Sequence, residues 1–482
     1  MVVATLNMIR IDRRLRESLQ IQIYQQIRLS IISGALRAGV RLSSTRDLTR
    51  LLGVSRNTIV YAFDRLVAEG YLEGRRGSGI YVAELQLTPP AQIAASLRPS
   101  PGLPIRSARL TALSEVAISP SYIGAKIRPF RPCQPAIDSF PLRNWNRARS
   151  YALRAHARDV LCEVDAGGLP RLRRALAAYL RDSRGLHCEA EQIVITAGTQ
   201  EALSLISKLL VESGDRVWLE DPGYLGARAA FSQTEAKLIP ISVDEEGITI
   251  PALKQKPRLI YTTPSRQFPR GVTMSLSRRL ALLEFARSSG AWIIEDDYDS
   301  EFRYVGRPAP SLQGLDGHGC VIYLGSFSKV LFPSLRLGYV VLPLHLVDAF
   351  RKLKEIGSGS VAAIDQATAA VFIEEGFFAT HVRRMRNLYR ERRDSFLHEA
   401  KKYLSGVIGF SPIDAGMDAF GSLRSGESDA DFSNRFRAAG VDAPPLSVYA
   451  LRPCEPGLVF GFTAFSPAQI RSAMQSLSSL FR

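Results

Sequence analysis

A lysine closes the run Tyr323-Leu324-Gly325-Ser326-Phe327-Ser328-Lys329, and an arginine follows in Leu335-Arg336-Leu337-Gly338-Tyr339. An amine flanked by hydroxyls, with a guanidinium close behind, suits an aldehyde that carries a phosphate. Lys329 would form a Schiff base with the aldehyde, while Ser326, Ser328 and Arg336 complete a phosphate cup. Upstream, in Glu295-Asp296-Asp297-Tyr298, Asp296 follows the apolar stretch Ala291–Ile294. Its carboxylate is expected to be partly buried and able to pair with a protonated pyridine nitrogen, keeping the ring electron-withdrawing. An aldehyde, a phosphate and a pyridine ring together describe pyridoxal 5'-phosphate (PLP). Tyr298 could bond the ring's phenolic oxygen, and Tyr224, in Glu220-Asp221-Pro222-Gly223-Tyr224, could stack on the ring face. Gly198, Thr199 and Gln200 open a helix, where free backbone N–H groups and the helix dipole favour a phosphate. Taken singly, each residue has an ordinary structural use; their joint order along the chain points to a cofactor site.

These residues must be held by rigid elements. Short apolar strands are expected at Gln192–Thr196, Arg216–Leu219, Leu259–Thr262, Ala291–Ile294 and Val321–Leu324, separated by helix-length segments. That alternation predicts an α/β layered sheet, whose ligands gather at the C-terminal ends of the strands, where the candidate residues fall.

The first eighty-odd residues follow a different pattern. Leu19, Ile23, Ile27 and Ile31 form an apolar helical stripe that Gly34 ends. A second helix is expected from Ser44, with Asp47 completing a capping box and Leu48, Leu51 and Leu52 facing inward. After Gly53-Val54-Ser55, the residues Ile59, Ala62, Phe63 and Leu66 bury a third helix and leave Arg56, Asn57, Val60 and Tyr61 outward. Ser55 can cap that helix and, with Asn57 and Thr58, meet phosphates at its N-terminus. Two short strands then flank the basic tip Gly74-Arg75-Arg76-Gly77-Ser78-Gly79. A recognition helix plus a basic hairpin is a geometry for double-stranded DNA.

Composition sets the outer limits. The 482 residues carry a formal charge of +16, and residues 1–85 hold thirteen arginines against seven acids. The excess fits a polyanionic partner without establishing one. No apolar run reaches the length of a membrane span. Five scattered cysteines (Cys133, Cys162, Cys188, Cys320 and Cys454) without metal-ligand spacing favour reduced thiols and a cytoplasmic setting. The boundaries read as a winged helix-turn-helix over 1–84, a Pro-rich linker over 85–127 with a short helix possible at Ser107–Val116, and a PLP-binding domain over 128–482.

The stretch Ile23–Val82 resembles the winged helix of the GntR family. The shared runs are Ile-Ile-Ser-Gly-Ala-Leu, Arg-Leu-Ser-Ser-Thr-Arg-Asp-Leu, Leu-Gly-Val-Ser-Arg-Asn-Thr, Glu-Gly-Tyr-Leu and Gly-Ser-Gly-Ile-Tyr-Val. By that resemblance Arg46, Arg56 and Thr58 contact DNA from the two helices, and Arg76 with Gly77 from the wing. Phe130–Phe481 resembles fold-type I PLP enzymes of the aspartate aminotransferase kind. Three further runs are similar to the MocR/GabR subfamily of GntR regulators: Thr-Pro-Ser-Arg-Gln-Phe-Pro-Arg-Gly-Val-Thr-Met, Glu-Asp-Asp-Tyr-Asp-Ser-Glu-Phe-Arg-Tyr and Gly-Ser-Phe-Ser-Lys-Val-Leu-Phe-Pro-Ser-Leu-Arg-Leu-Gly-Tyr. That subfamily joins a winged helix to an aminotransferase-like sensor domain. The resemblance implies a homodimer that binds an operator and responds to PLP or a small amine.

Five departures bear on function. Ser43 stands where GntR members usually have proline. Phe268 precedes Pro269-Arg270-Gly271 where aminotransferases carry an asparagine, which suits sensing better than turnover. Glu163 stands where relatives often place a tyrosine that reaches the partner's phosphate. Gly457–Phe462 lacks the arginine that holds a substrate carboxylate, and Gly226 replaces the arginine of GABA-responsive members. The leading reading is a PLP-dependent transcription regulator; a working aminotransferase with a DNA-binding head and a cofactor-free dimerisation scaffold are the alternatives.

Overall fold

The computed structural model describes residues 3–4, 9–13, 17–75, 78–84, 127–252 and 256–481, and the chain divides into two units, Met1–Ile105 and Arg106–Arg482. Of the expected linker over 85–127, all but Ile127 lies outside the described residues, its short helix included, as do Arg76 and Gly77 of the wing.

In the first unit, three helices (Leu19–Ile32, Thr45–Leu52 and Arg56–Ala68) share one core in which Ile23, Ile27, Leu48, Ile59, Ala62 and Leu66 are fully buried. The four-residue spacing in the first helix stacks its isoleucines on one face, as expected. A four-stranded sheet has the order β1-β2-β4-β3, with β1 Val3–Ala4, β2 Arg41–Leu42, β3 Leu72–Arg75 and β4 Gly79–Val82. The β3–β4 pair is an antiparallel hairpin in register from Leu72 opposite Val82 to Arg75 opposite Gly79. Two expectations need correcting. Leu51 is 49% exposed, because in an eight-residue helix the stripe through Leu48 leaves it on the solvent side. Ser44 accepts from the Asp47 backbone N–H at 3.2 Å, but the Asp47 carboxylate takes the Ser44 hydroxyl rather than its N–H, so the capping box is only half formed.

In the second unit an eight-stranded sheet has the order β5-β12-β11-β10-β9-β6-β7-β8. Its members are β5 Ile193–Thr196, β6 Arg216–Asp221, β7 Lys237–Asp244, β8 Gly247–Ile248, β9 Leu259–Thr262, β10 Trp292–Asp297, β11 Val321–Ser326 and β12 Gly338–Val341. Strands β11, β10, β9, β6 and β7 run parallel. Strand β12 lies antiparallel between β11 and β5, so the chain after Lys329 returns at once beside the strand that delivered it. Alternate residues enter separate cores: Ile294 packs with Leu259 and Tyr261, while Ile293 packs with Trp218 and Ile260. Both faces are thus covered, which explains strands that read as unbroken apolar runs. A second sheet, β13 Ile408–Phe410, β14 Asp418–Leu423 and β15 Gly457–Gly461, is antiparallel in the order β13-β14-β15. Phe396, on the long helix Phe377–Tyr403, packs edge-on or tilted against Phe410 and Phe460 of this sheet. Among the described residues, no helix is long and apolar enough to cross a membrane.

Candidate functional site

Strand β10 extends past Ile294 to Asp297, so Asp296 lies within the strand and not beyond it. The pleat then separates three consecutive acids. Glu295 accepts backbone N–H bonds from Leu312 and Gln313 at 3.0 and 2.9 Å. Asp297 accepts from Arg184, Tyr323 and Ser300 at 2.7–2.8 Å. Asp296 alone lines a cavity of about 360 Å³ at the strand ends. Its Oδ2 accepts the Tyr261 hydroxyl at 2.7 Å, whereas Oδ1 is buried without a hydrogen-bond partner. Burial pushes the Asp296 carboxyl up to about 7; nearby Asp297 and Glu220 add to the rise, and the Tyr261 bond and the Lys329 charge oppose it.

Lys329 enters the same cavity from the turn after β11, and its Nζ donates to the Cys133 carbonyl at 3.0 Å. Ser326 ends β11, and its hydroxyl accepts the Ser328 N–H at 3.1 Å. Arg336 is exposed, with φ 50°, at the turn into β12. Gly338 brings this hairpin against the start of the Thr199–Leu210 helix: a Cβ on it would lie 2.9 Å from the Gly198 Cα. The first N–H groups of that helix have no partner within the helix. They therefore join Ser326 and Ser328 on the side a phosphate would occupy.

Of the ten residues expected to hold a cofactor, Thr199, Tyr224, Asp296, Tyr298, Ser326 and Lys329 line the cavity. Gly198, Gln200, Ser328 and Arg336 are not among its lining residues. The Gln200 side chain donates to the Gly226 carbonyl at 3.0 Å, bracing the segment that carries Tyr224. Phe268 packs edge-on against Tyr224, Tyr298 and Tyr449, with ring centroids 6.3, 6.0 and 5.2 Å away. The Tyr298 hydroxyl accepts from buried Arg266 at 3.4 Å, and Arg266 also pairs with Asp299 at 3.6 Å. Glu163 is exposed and does not line the cavity.

Sequence reasoning missed several lining residues. Tyr261 had a weak signal, a hydroxyl inside the apolar strand Leu259–Thr262. Arg131, Cys133, Gln134, Arg437 and Tyr449 had none, because tertiary folding alone brings them to Lys329. Cys133 has φ 59°; its N–H and thiol both donate to Asp418, at 2.7 and 3.3 Å, and burial pushes the thiol well up.

An unpartnered buried carboxylate oxygen, an amine, a ring-stacking tyrosine and a helix start converge on one cavity, and this fits PLP. Asp296 would hold the ring nitrogen, Lys329 the aldehyde carbon, and Ser326 with the helix start the phosphate. When bound, PLP supplies an electron sink for amines.

In the first unit, Ser55 caps the Arg56–Ala68 helix: its Oγ accepts the Thr58 N–H at 3.2 Å and lies 2.8 Å from the Thr58 hydroxyl. Arg56 and Asn57 are exposed on the first turn of that helix, and Arg46 is exposed on the first turn of the helix before it. Arg75 pairs with Glu73 at 2.6 Å and lies over the Tyr81 ring at 4.6 Å, so its guanidinium is already engaged. Ser78 meets the Tyr81 hydroxyl at 2.5 Å. Gly79 has φ 115°, and a Cβ there would fall 2.9 Å from Arg41 Nε.

Residues 19–82 match the family described as "Bacterial regulatory proteins, gntR family", and residues 138–474 match "Aminotransferase class I and II". The chain is 39% identical over 480 residues to the "Probable rhizopine catabolism regulatory protein MocR" of Rhizobium meliloti, covering 98% of this chain and 96% of that one. It is 31% identical to the "HTH-type pyridoxine biosynthesis transcriptional regulator PdxR" of Corynebacterium glutamicum, over 96% of this chain and 95% of that one. Among solved structures, kynurenine aminotransferase from Pyrococcus horikoshii superposes with a TM-score of 0.69 at 26% identity, covering 80% of this chain and 97% of that one.

Proposed function

Because the chain belongs to the MocR-type branch of the GntR family of transcriptional regulators, we propose that it binds PLP through Lys329 and Asp296 and uses that site to sense a small amine. The observation that carries this reading is Asp296 Oδ1, a buried acceptor without a partner in the cavity that Lys329 enters. A buried carboxylate left half-satisfied is costly, and a protonated ring nitrogen would satisfy it. Arg46, Ser55, Arg56, Asn57 and Thr58 form the DNA-reading face, with the wing from Arg75 to Gly79 beside it. Ligand binding would shift the poise of the DNA-binding heads only by favouring one conformation over another.

Turnover is not the assigned role. Phe268 occupies an aromatic cluster where a working aminotransferase would present a polar side chain to the ring oxygen, and β15 is Gly-Leu-Val-Phe-Gly, without an arginine. We assign the protein as a cytoplasmic homodimer with the boundaries 1–84, 85–127 and 128–482.

The test is the visible absorption spectrum of purified protein with added PLP, before and after borohydride, beside Lys329→Ala. A cofactor band that borohydride fixes in wild type only is the expected result, with operator binding retained in the variant. A flat wild-type spectrum at saturating PLP would overturn the cofactor assignment. Multiple-turnover keto-acid production would replace sensing with catalysis.

A further inference from the structure

Arg266 is 3% exposed, and the chain around it leaves room for a guanidinium. Gly416 and Gly271 both have positive φ, 85° and 82°. A Cβ on Gly416 would run into Arg266 Cδ and Nε, and one on Gly271 would lie 3.1 Å from Nη2. Nη2 donates to the Asp418 carbonyl, while Nη1 pairs with Asp299 at 3.6 Å and donates to the Tyr298 hydroxyl at 3.4 Å. Asp299 is itself held, since its Oδ2 accepts the Met417 N–H at 3.3 Å. The guanidinium is therefore fixed on both flanks behind Tyr298.

Arginine has donors and no acceptor, so its bond to Tyr298 can be received only by the phenol oxygen. The Tyr298 proton is thus turned away from Arg266, and among the described residues that hydroxyl has no other hydrogen bond. Tyr298 lines the cavity with Asp296 and Lys329. Phe268, edge-on to the Tyr298 ring at 6.0 Å, offers no donor. The other ionisable groups that face Tyr298 are Asp299, Cys133 and Asp418, and those that face Lys329 are Asp296, Cys133 and Asp418. Cys133 belongs to a strap, Arg128–Gln134, that runs beside β15: the Phe130 carbonyl accepts the Gly461 N–H at 2.7 Å, and a Cβ on Gly461 would run into the Arg131 carbonyl. The strap ends at Lys329, whose amine donates to the Cys133 carbonyl at 3.0 Å.

We propose that Arg266 is a positioning residue of the cofactor site: it turns the Tyr298 hydroxyl into a donor for the ring's phenolic oxygen and so lowers the pH at which the Lys329 nitrogen gives up its proton. A donor backed by a positive charge stabilises the negative charge left on that oxygen when the proton it shares with the Lys329 nitrogen departs. With an apolar residue at Phe268, the task falls to Tyr298, and the guanidinium behind the phenol sets how strong a donor it is. The inference rests on the proposed reading of Lys329 and Tyr298 as cofactor residues.

The test follows the absorption band of full-length, PLP-loaded protein across pH in wild type, Arg266→Gln, Tyr298→Phe and the double variant. Arg266→Gln should raise the midpoint by about one pH unit, the lower end of what a neighbouring charge does. Tyr298→Phe should raise it too, and the double variant should lie no higher than Tyr298→Phe. An unmoved midpoint in Arg266→Gln overturns the proposal. So does a double variant that adds the whole Arg266→Gln shift to that of Tyr298→Phe, because the guanidinium would then act without the phenol. Should Arg266→Gln fail to fold, its combination with Asp299→Asn removes both charges of the buried pair and carries the same expectation and the same refutation. A wild type without any band would instead overturn the cofactor reading, and this inference with it.

Discussion

The Tyr261 hydroxyl donates to Asp296 Oδ2 at 2.7 Å across neighbouring strands, which fixes the carboxylate and leaves Oδ1 buried without a partner in a residue that lines the cavity. Strand β9 places Tyr261 opposite Ile294, two residues before Asp296, so the bond is set by sheet register and not by a flexible loop.

Replacing Asp296 with asparagine keeps the size and removes the charge. Charge-assisted hydrogen bonds contribute about 1.5–3 kcal/mol, so PLP affinity should fall tenfold or more. Absorption titration measures it, and an unchanged midpoint would detach Asp296 from the ring nitrogen.

Burial is the first cause that pushes Asp296, Asp299 and Glu301 up to about 7. Unfolded carboxyls ionise near pH ~4. Between about pH 4 and 7 the folded state therefore holds the extra protons, and its stability falls as pH rises through that window. Thermal melts of cofactor-free protein should show a higher Tm at pH 5 than at pH 7.5. Asp296→Asn should flatten part of that slope, the remainder coming from the other buried carboxyls. A Tm that climbed over the same interval would contradict these raised values.

At the DNA-reading face, Arg56→Ala should cost roughly 1–3 kcal/mol of operator binding if the guanidinium reads a base edge. Footprinting across salt concentrations checks this. A loss that grows weaker in step with salt for every sequence would mark Arg56 as a phosphate contact instead.

Gly461→Ala drives a methyl group toward the Arg131 carbonyl. Overpacking of this kind costs about 1–3 kcal/mol. A lower urea midpoint should appear together with weaker PLP retention, since the strap also carries the Cys133 carbonyl. Loss of stability with full retention would uncouple the strap from Lys329.

The parts legible in the sequence were those with local signatures. The isoleucine stripe of the first helix, the Gly74–Gly79 hairpin tip and the strands ending near Thr196, Thr262 and Ser326 all follow from short-range spacing. Leu51 misled because an eight-residue helix offers too few turns to fix its buried face. Asp296 was expected beyond its strand and lies within it, since an acid inside an apolar run reads as a boundary until its partner, Tyr261, is known. Arg131, Cys133 and Arg437 were invisible for a different reason. They are brought to Lys329 from about 200 residues before it and about 100 after it, and the bonds that tie the strap Arg128–Gln134 to the rest of the unit mostly engage the strap's own backbone groups, which leave no periodic trace.

The close approach of Gly461 to the strap has a bearing on ancestry. A descendant that acquired an arginine near the end of β15 by one codon change would meet the Arg131 backbone before it met any ligand. Passage between a signalling form and a catalytic form of this architecture would need paired changes in the strand and the strap, and selection on single substitutions would rarely find it.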